Sequence, residues 1–160
     1  MKFQQTPETL VNQSDDFTDT RDGVTYSSFT DSKGSRWLGS NLRFDYPSSK
    51  PLDSYNDDDT HGRLYSYEAA EASIPIGWRI PTVREWSRLE KELNHEIFCF
   101  PPADLRLRGS GHYYWTSSNR MKIFAKCPPG SMYHVAFRGG QMSTHSDWMD
   151  EHFAVRCIAH

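Results

Sequence analysis

The sequence predicts an α+β domain, and two observations carry the prediction. Short strands come first, then two helices, then strands again, an order that favours a mostly antiparallel arrangement over a parallel α/β sheet. The composition is also ring-rich. Hydrophobic residues make up only 36% of the chain but aromatics make up 14%, with five Trp, eight Tyr and nine Phe. Rings of that size supply core area that aliphatic residues would otherwise give, and such a content argues against a disordered chain. With 160 residues there is room for one domain with a real core.

The elements follow in order. Residues 1–17 are polar and weakly patterned and are read as an N-terminal arm, with the domain proper over 18–160. Asp22-Gly23 signals a turn between short strands within DTRDGVTY, and Asp31–Gly34 a second turn between Ser28–Phe29 and Arg36–Leu38. Residues 45–61, rich in Pro, Ser and Asp, read as a loop. A first helix is expected over Ser66–Ala72, ended by Pro75. A second begins at Thr82, with Glu85 three residues on completing a capping box, and Val83, Trp86, Leu89 and Leu93 mark one apolar face to about residue 95. Tyr113–Ser117 reads as a strand and 117–131 as a loop. Tyr133–Arg138 is a strand turned by Gly139-Gly140 into Gln141–Thr144. Phe153–Ile158 is the closing strand, with Phe153, Val155 and Cys157 on one face and Ala154 and Arg156 on the other.

The formal net charge of −3 offers no electrostatic reason to bind nucleic acid or an anionic membrane. No apolar run has the length of a signal peptide or a membrane span. The expected location is therefore a virion or the cytoplasm, or the cell surface if a signal has been removed. Cys99, Cys127 and Cys157 are odd in number and widely spaced, and are expected to be free thiols.

The segment 138–152, RGGQMSTHSDWMDEH, holds the strongest candidate binding residues: Arg138, Gln141, Ser143, His145, Asp147, Trp148 and Asp150, with His152 beside them. A flat apolar anchor among hydrogen-bonding groups is the composition of a recognition surface. The alternative is an ordinary polar loop with Trp148 folded under it. Neither Asp57-Asp58-Asp59 with His61 nor Asp147, Asp150 and Glu151 has the spacing of a calcium loop, so no metal or cofactor is assigned. Cys99 has no His fixed beside it by a motif, and Ser117-Ser118 lacks a nucleophile elbow, so no catalytic residue is assigned and no enzyme activity is expected.

DTRDGVTY at 19–26, Trp37 with Asn41-Leu42, GRLYSYEAA at 62–70, PIGWRIPTVREW at 75–86, YWTSS at 114–118 and VRC at 155–157 occur in that order. Together they resemble the Fibrobacter succinogenes major paralogous domain family over roughly residues 18–158. The resemblance implies a C-type-lectin-like fold, with two helices flanking a twisted antiparallel sheet. It also implies a ligand surface on the strands and loops of the C-terminal half, and binding rather than catalysis. Such modules occur in bacterial surface chains and phage proteins. The partners implied are a glycan or protein receptor, or other virion or surface subunits, with a homo-oligomer as a further option and a purely structural virion subunit as the alternative role. A second alternative is an enzyme related to the formylglycine-generating group, whose active-site cysteine pair has no match in Cys127 and Cys157. The motif residues Trp37, Trp78, Trp86 and Trp115 are expected in the core, and Arg63 and Arg156 are expected to pin loop carbonyls or a buried carboxylate. The family usually places a Cys before Pro-x-Gly-Trp, bridged to the Cys of VRC. Ile74 stands there in this chain, which leaves Cys157 without that partner.

Overall fold

The first turns form as the residues dictate. Strand β1 (Phe17–Thr18) pairs with β2 (Thr25–Tyr26), and Gly23 takes a φ of 75° that a side chain would resist. Phe17, at the edge of the expected arm, is thereby part of the fold and packs on Trp78 with ring centroids 5.1 Å apart. The computed structural model describes residues 16–53, 58–92, 112–121, 125–138 and 141–160. The rest of the arm, Leu93, Cys99, Asp57 and the Gly139-Gly140 turn lie outside them. Strands β3 (Ser28–Thr30) and β4 (Arg36–Leu38) pair across the Asp31–Gly34 turn.

Residues 45–61 were expected to be loop, but they contain most of a hairpin of β5 (Lys50–Asp53) and β6 (Asp58–Leu64). Strand formers are scarce there. What holds the segment is long-range bonding: the Arg63 N–H donates to the Leu42 carbonyl (3.0 Å), and the Arg63 guanidinium donates to Ser49 Oγ (2.7 Å) and pairs with Asp45 (2.9 Å). Gly62, with a φ of 108°, lies so close to Asn41 that an added Cβ would sit 2.5 Å from the Asn41 Cβ.

Helix α1 (Tyr67–Ser73) starts where Ser66 Oγ accepts from the Ala69 N–H (3.3 Å). At its other end the Arg21 guanidinium, itself paired with Asp19, donates to the Ser73 carbonyl (2.7 Å). Strand β7 (Trp78–Arg79) leads to α2 (Val83–Glu92). The expected capping box is formed: Thr82 Oγ1 accepts from the Glu85 N–H (3.2 Å) while the Glu85 carboxylate accepts from the Thr82 N–H (2.8 Å). Burial pushes the Glu85 carboxyl up, but the Arg79 guanidinium and Thr82 outweigh it and hold it below its ordinary range.

The second half departs from expectation in three places. Strand β8 (His112–Trp115) is followed by a small hairpin, β9 (Arg120–Met121) with β10 (Ala125–Lys126), inside the stretch read as a loop over 117–131. Strand β11 (Ser131–Arg138) pairs on one side with β8 and on the other with β12 (Gln141–Trp148), twice the expected length of that strand. The closing segment forms a ladder only at β13 (Ile158–Ala159). Upstream of it the chain bonds alternately to different neighbours: Phe153 with Tyr65, Ala154 with Tyr113 and Trp115, Val155 with Leu42, and Cys157 with Leu38. It stitches sheets together instead of belonging to one.

Among the described residues the result is a mixed α/β fold of mostly antiparallel strands with two helices. Where a single sheet was expected, the described residues form a four-stranded sheet, β3-β4-β13-β7, a three-stranded sheet, β12-β11-β8, and three two-stranded ones. Strand alternation feeds two cores. Leu38, Trp115, Val155 and Cys157 join α1, whereas Trp37, Tyr114, Ala154 and Ile158 join α2. Trp37, Trp78, Trp86 and Trp115 are all buried, as expected. Arg156, also buried, donates to Asn41 Oδ1 (2.7 Å) and the Gly39 carbonyl (3.2 Å), so it pins a loop as expected, through an amide and not a carboxylate.

Candidate functional site

Arg138, Gln141 and Ser143 lie on strands as expected, and the strand runs on past the expected end at Thr144 to take in His145, Asp147 and Trp148. The β11–β12 register sets Arg138 against Gln141, Ala136 against Ser143, His134 against His145 and Met132 against Asp147. Because side chains alternate, Arg138, Gln141, Ser143, His145 and Asp147 share one face of the sheet. Trp148 falls on the opposite face with Met142 and Thr144, and Asp150 lies in the turn beyond the strand. The expected anchor is therefore separated from the polar groups it was grouped with. Trp148 is 59% exposed, which also excludes the alternative in which it folds under a loop, and its ring edge lies over Gly130.

The face that carries the polar residues also carries aromatics. Tyr113 and Trp115 of β8 come into line with Ala136 and His134 of β11. The His134 ring lies 4.5 Å from Phe153, 5.5 Å from Tyr113 and 5.7 Å from His145, the last nearly parallel to it. A row of rings thus leads from the α1 core through buried His134 to exposed His145. Around it, His145 Nε2 and Ser143 Oγ are hydrogen-bonded (2.9 Å). The Arg138 guanidinium donates to the Tyr113 hydroxyl and lies 5.7 Å from the ring centroid. Tyr113, His134 and Phe153 were not assigned to the surface from sequence. Tyr113 and His134 share one signal, parity, since the registers align them with residues on the face of the polar set, whereas Phe153 joins them by packing on both rings.

Burial holds the His134 imidazole neutral and pushes its pKa down to about 4, and its Nδ1 has no hydrogen-bond partner among the described residues. The unfolded chain takes up a proton near 6.5 that the folded chain refuses. Stability from this residue is therefore complete above pH 6.5 and declines as the pH falls towards 4, by roughly 3 kcal/mol in all. Urea unfolding midpoints measured between pH 7 and 4 should show this slope. His134→Phe should remove it, leaving the steeper loss below about pH 4.5 that comes from Glu85, Asp31 and Asp19.

Elsewhere a groove of about 280 Å³ is lined by Tyr67, Glu71, Ile74, Trp78, Arg79, Ile80 and Ser117. Its guanidinium is already committed to Glu85 in a two-pronged pair (2.6 and 2.9 Å). Buried Cys127 and Cys157 both have pKa values raised by burial, Cys157 to about 12, so neither carries a thiolate near neutral pH. Ser118 Oγ accepts from the Val83 N–H (3.0 Å). Among the described residues no group of three or more His, Cys, Asp or Glu side chains is placed to hold a metal ion.

No match is found among curated proteins or among solved structures. The family model that does match covers residues 21–111. It ends before β8, so the three-stranded sheet with its candidate surface lies beyond the matched region, as do the YWTSS and VRC motifs. The match spans more than half of the chain, from the first Asp-Gly turn through α2, and on that ground the protein belongs to the Fibrobacter succinogenes major domain family.

Proposed function

We propose that this protein is a non-catalytic binding module of the C-type-lectin-like kind, part of a virion or cell surface, that recognises a glycan through one face of the β12-β11-β8 sheet. The observation that carries this reading is the face that Arg138, Gln141, Ser143, His145 and Asp147 share, beside the Tyr113–His134–Phe153 rings. Hydrogen-bond donors and acceptors at strand spacing suit the hydroxyls of a sugar, and an aromatic edge suits its C–H face. The sheet holds these groups before the ligand arrives, which lowers the ordering cost of binding. Raised thiol pKa values at Cys127 and Cys157 support binding over nucleophilic chemistry.

A glycan array probed with the full chain, followed by calorimetry on the hits, tests this. Gln141→Ala and Arg138→Ala should each weaken binding by roughly tenfold, the worth of one or two hydrogen bonds. Trp148→Ala, on the opposite face, should leave the per-site affinity unchanged. An array with no hits, or hits lost only in Trp148→Ala, would reject the glycan reading of this face.

A further inference from the structure

Among the described residues the three-stranded sheet ends on β12, and the outer edge of that strand is open along its middle. The hairpin pairing of Arg138 with Gln141 turns the N–H and C=O groups of odd-numbered residues toward β11, so even-numbered residues direct theirs outward. At one end the Met142 N–H donates to the Glu90 carboxylate of α2 (3.0 Å). At the other the Trp148 carbonyl accepts from the Glu151 N–H (3.1 Å). Between these caps the outward backbone groups of Thr144 and Ser146, with the Trp148 N–H, have no partner among the described residues. Edges that stay solitary are blunted by Lys, Pro or a bulge. Gln141–Trp148 contains neither Lys nor Pro, and its register on β11 runs without a shift. Beside this edge stands the exposed Trp148.

We propose that this edge pairs with the same edge of a second copy of the chain, antiparallel and centred on Ser146, joining two three-stranded sheets across a two-fold axis. The open stretch selects the register. Ser146 faces Ser146 and the two exchange backbone hydrogen bonds; Thr144 of one copy faces Trp148 of the other, where the Trp148 N–H donates to the Thr144 carbonyl and the Thr144 N–H shares the Trp148 carbonyl with Glu151. On the polar face His145 then stands opposite Asp147, a complementary pair made twice by the symmetry. On the other face Trp148 covers the Thr144 methyl and reaches the Met142 side chain diagonally. A register shifted two residues toward the hairpin would set His145 against His145 and run into the Met142 N–H already taken by Glu90. Self-pairing is favoured over a foreign strand because this stretch supplies the complement to its own donors, acceptors, charge and apolar side chain.

The test is sedimentation velocity on the full chain at about 1–500 µM, a range bracketing moderate affinities, with amide exchange read at Thr144, Ser146 and Trp148. A dimer is expected, with those amides protected only when it forms. Ser146→Pro removes an outward N–H without touching the β11 ladder and should raise the dissociation constant roughly tenfold or more. Ser146→Ala keeps the N–H and should change little. Asp147→Arg should also weaken the dimer, and the exchange H145D/D147H should restore it, which keeps the test valid if the proline variant does not fold. A monomer throughout the range, a dimer indifferent to Ser146→Pro and Asp147→Arg, or edge amides already protected in the monomer would each overturn the proposal. These outcomes are read on the protein without sugar, so they stand apart from whether the polar face, which His145 and Asp147 share, binds a glycan.

Discussion

Replacement of Trp115 by alanine should destabilise the fold by about 3–5 kcal/mol, the range for deleting a fully buried large ring. Trp115 is wholly buried, and its ring meets Phe153 at 4.6 Å and Tyr67 at 5.4 Å between centroids. Its indole Nε1–H donates to the Tyr65 carbonyl (2.7 Å). The residue therefore ties β8 to α1 and to the closing segment at one point. Against a typical total of about 5–15 kcal/mol, such a loss would leave part of the population unfolded at physiological temperature. Trp115→Phe keeps a ring and loses the donor, and should cost roughly 1–3 kcal/mol. Equilibrium denaturation followed by near-ultraviolet circular dichroism distinguishes these outcomes. A Trp115→Ala protein within about 1 kcal/mol of the parent would show that the site collapses around the cavity and that Trp115 does not join the two halves.

Asp31→Ala should be comparably severe, about 3–5 kcal/mol, because it strips one buried acceptor group from several donors. Oδ1 accepts from the Lys33 and Ser35 N–H groups (2.9 Å each) and Oδ2 from Trp37 Nε1 (3.0 Å) and the Arg88 guanidinium (2.8 Å). Burial pushes this carboxyl up, but those donors outweigh it and its pKa ends below the ordinary value. Stability from the group is thus present above about pH 4 and lost as the pH falls through the lowered value. Removing it leaves the Trp37 indole N–H unpaired in the α2 core and frees the β3–β4 turn. Asp31→Asn retains acceptor capacity on one oxygen and should fall between parent and alanine. Thermal melts of the three proteins at pH 7 order them, and an alanine variant melting with the parent would mean that water replaces the carboxylate without penalty.

The features legible in the sequence are those whose cause is local. Thr82 and Glu85 cap α2 because a side chain and a backbone N–H three residues apart meet in the first helical turn, whatever surrounds them. Asp22-Gly23 turns because Gly23 can adopt a positive φ. Rings such as Trp37 and Trp86 are buried because burying that much apolar area outweighs most alternatives. The alternation of Phe153, Val155 and Cys157 against Ala154 is equally local. It holds although most of the segment forms no ladder, since each set enters its own core.

Partners distant in the chain settled the remainder. Strand β6 carries Asp, Gly and His, poor strand formers, and is extended because β5 and the Leu42 carbonyl receive its hydrogen bonds. Strand β12 shows no alternation of polarity because much of it faces solvent on both sides, so its period was hidden until β11 set the register. That register separates Trp148 from Arg138, Gln141, Ser143, His145 and Asp147, and sets Tyr113 and His134 on the face of the polar set, with Phe153 packed against both rings. Composition could place these residue types in one stretch of chain. Which of them share a face follows from a two-residue period and from hydrogen bonds to strands far away in sequence, and those bonds exist only once the sheet has assembled.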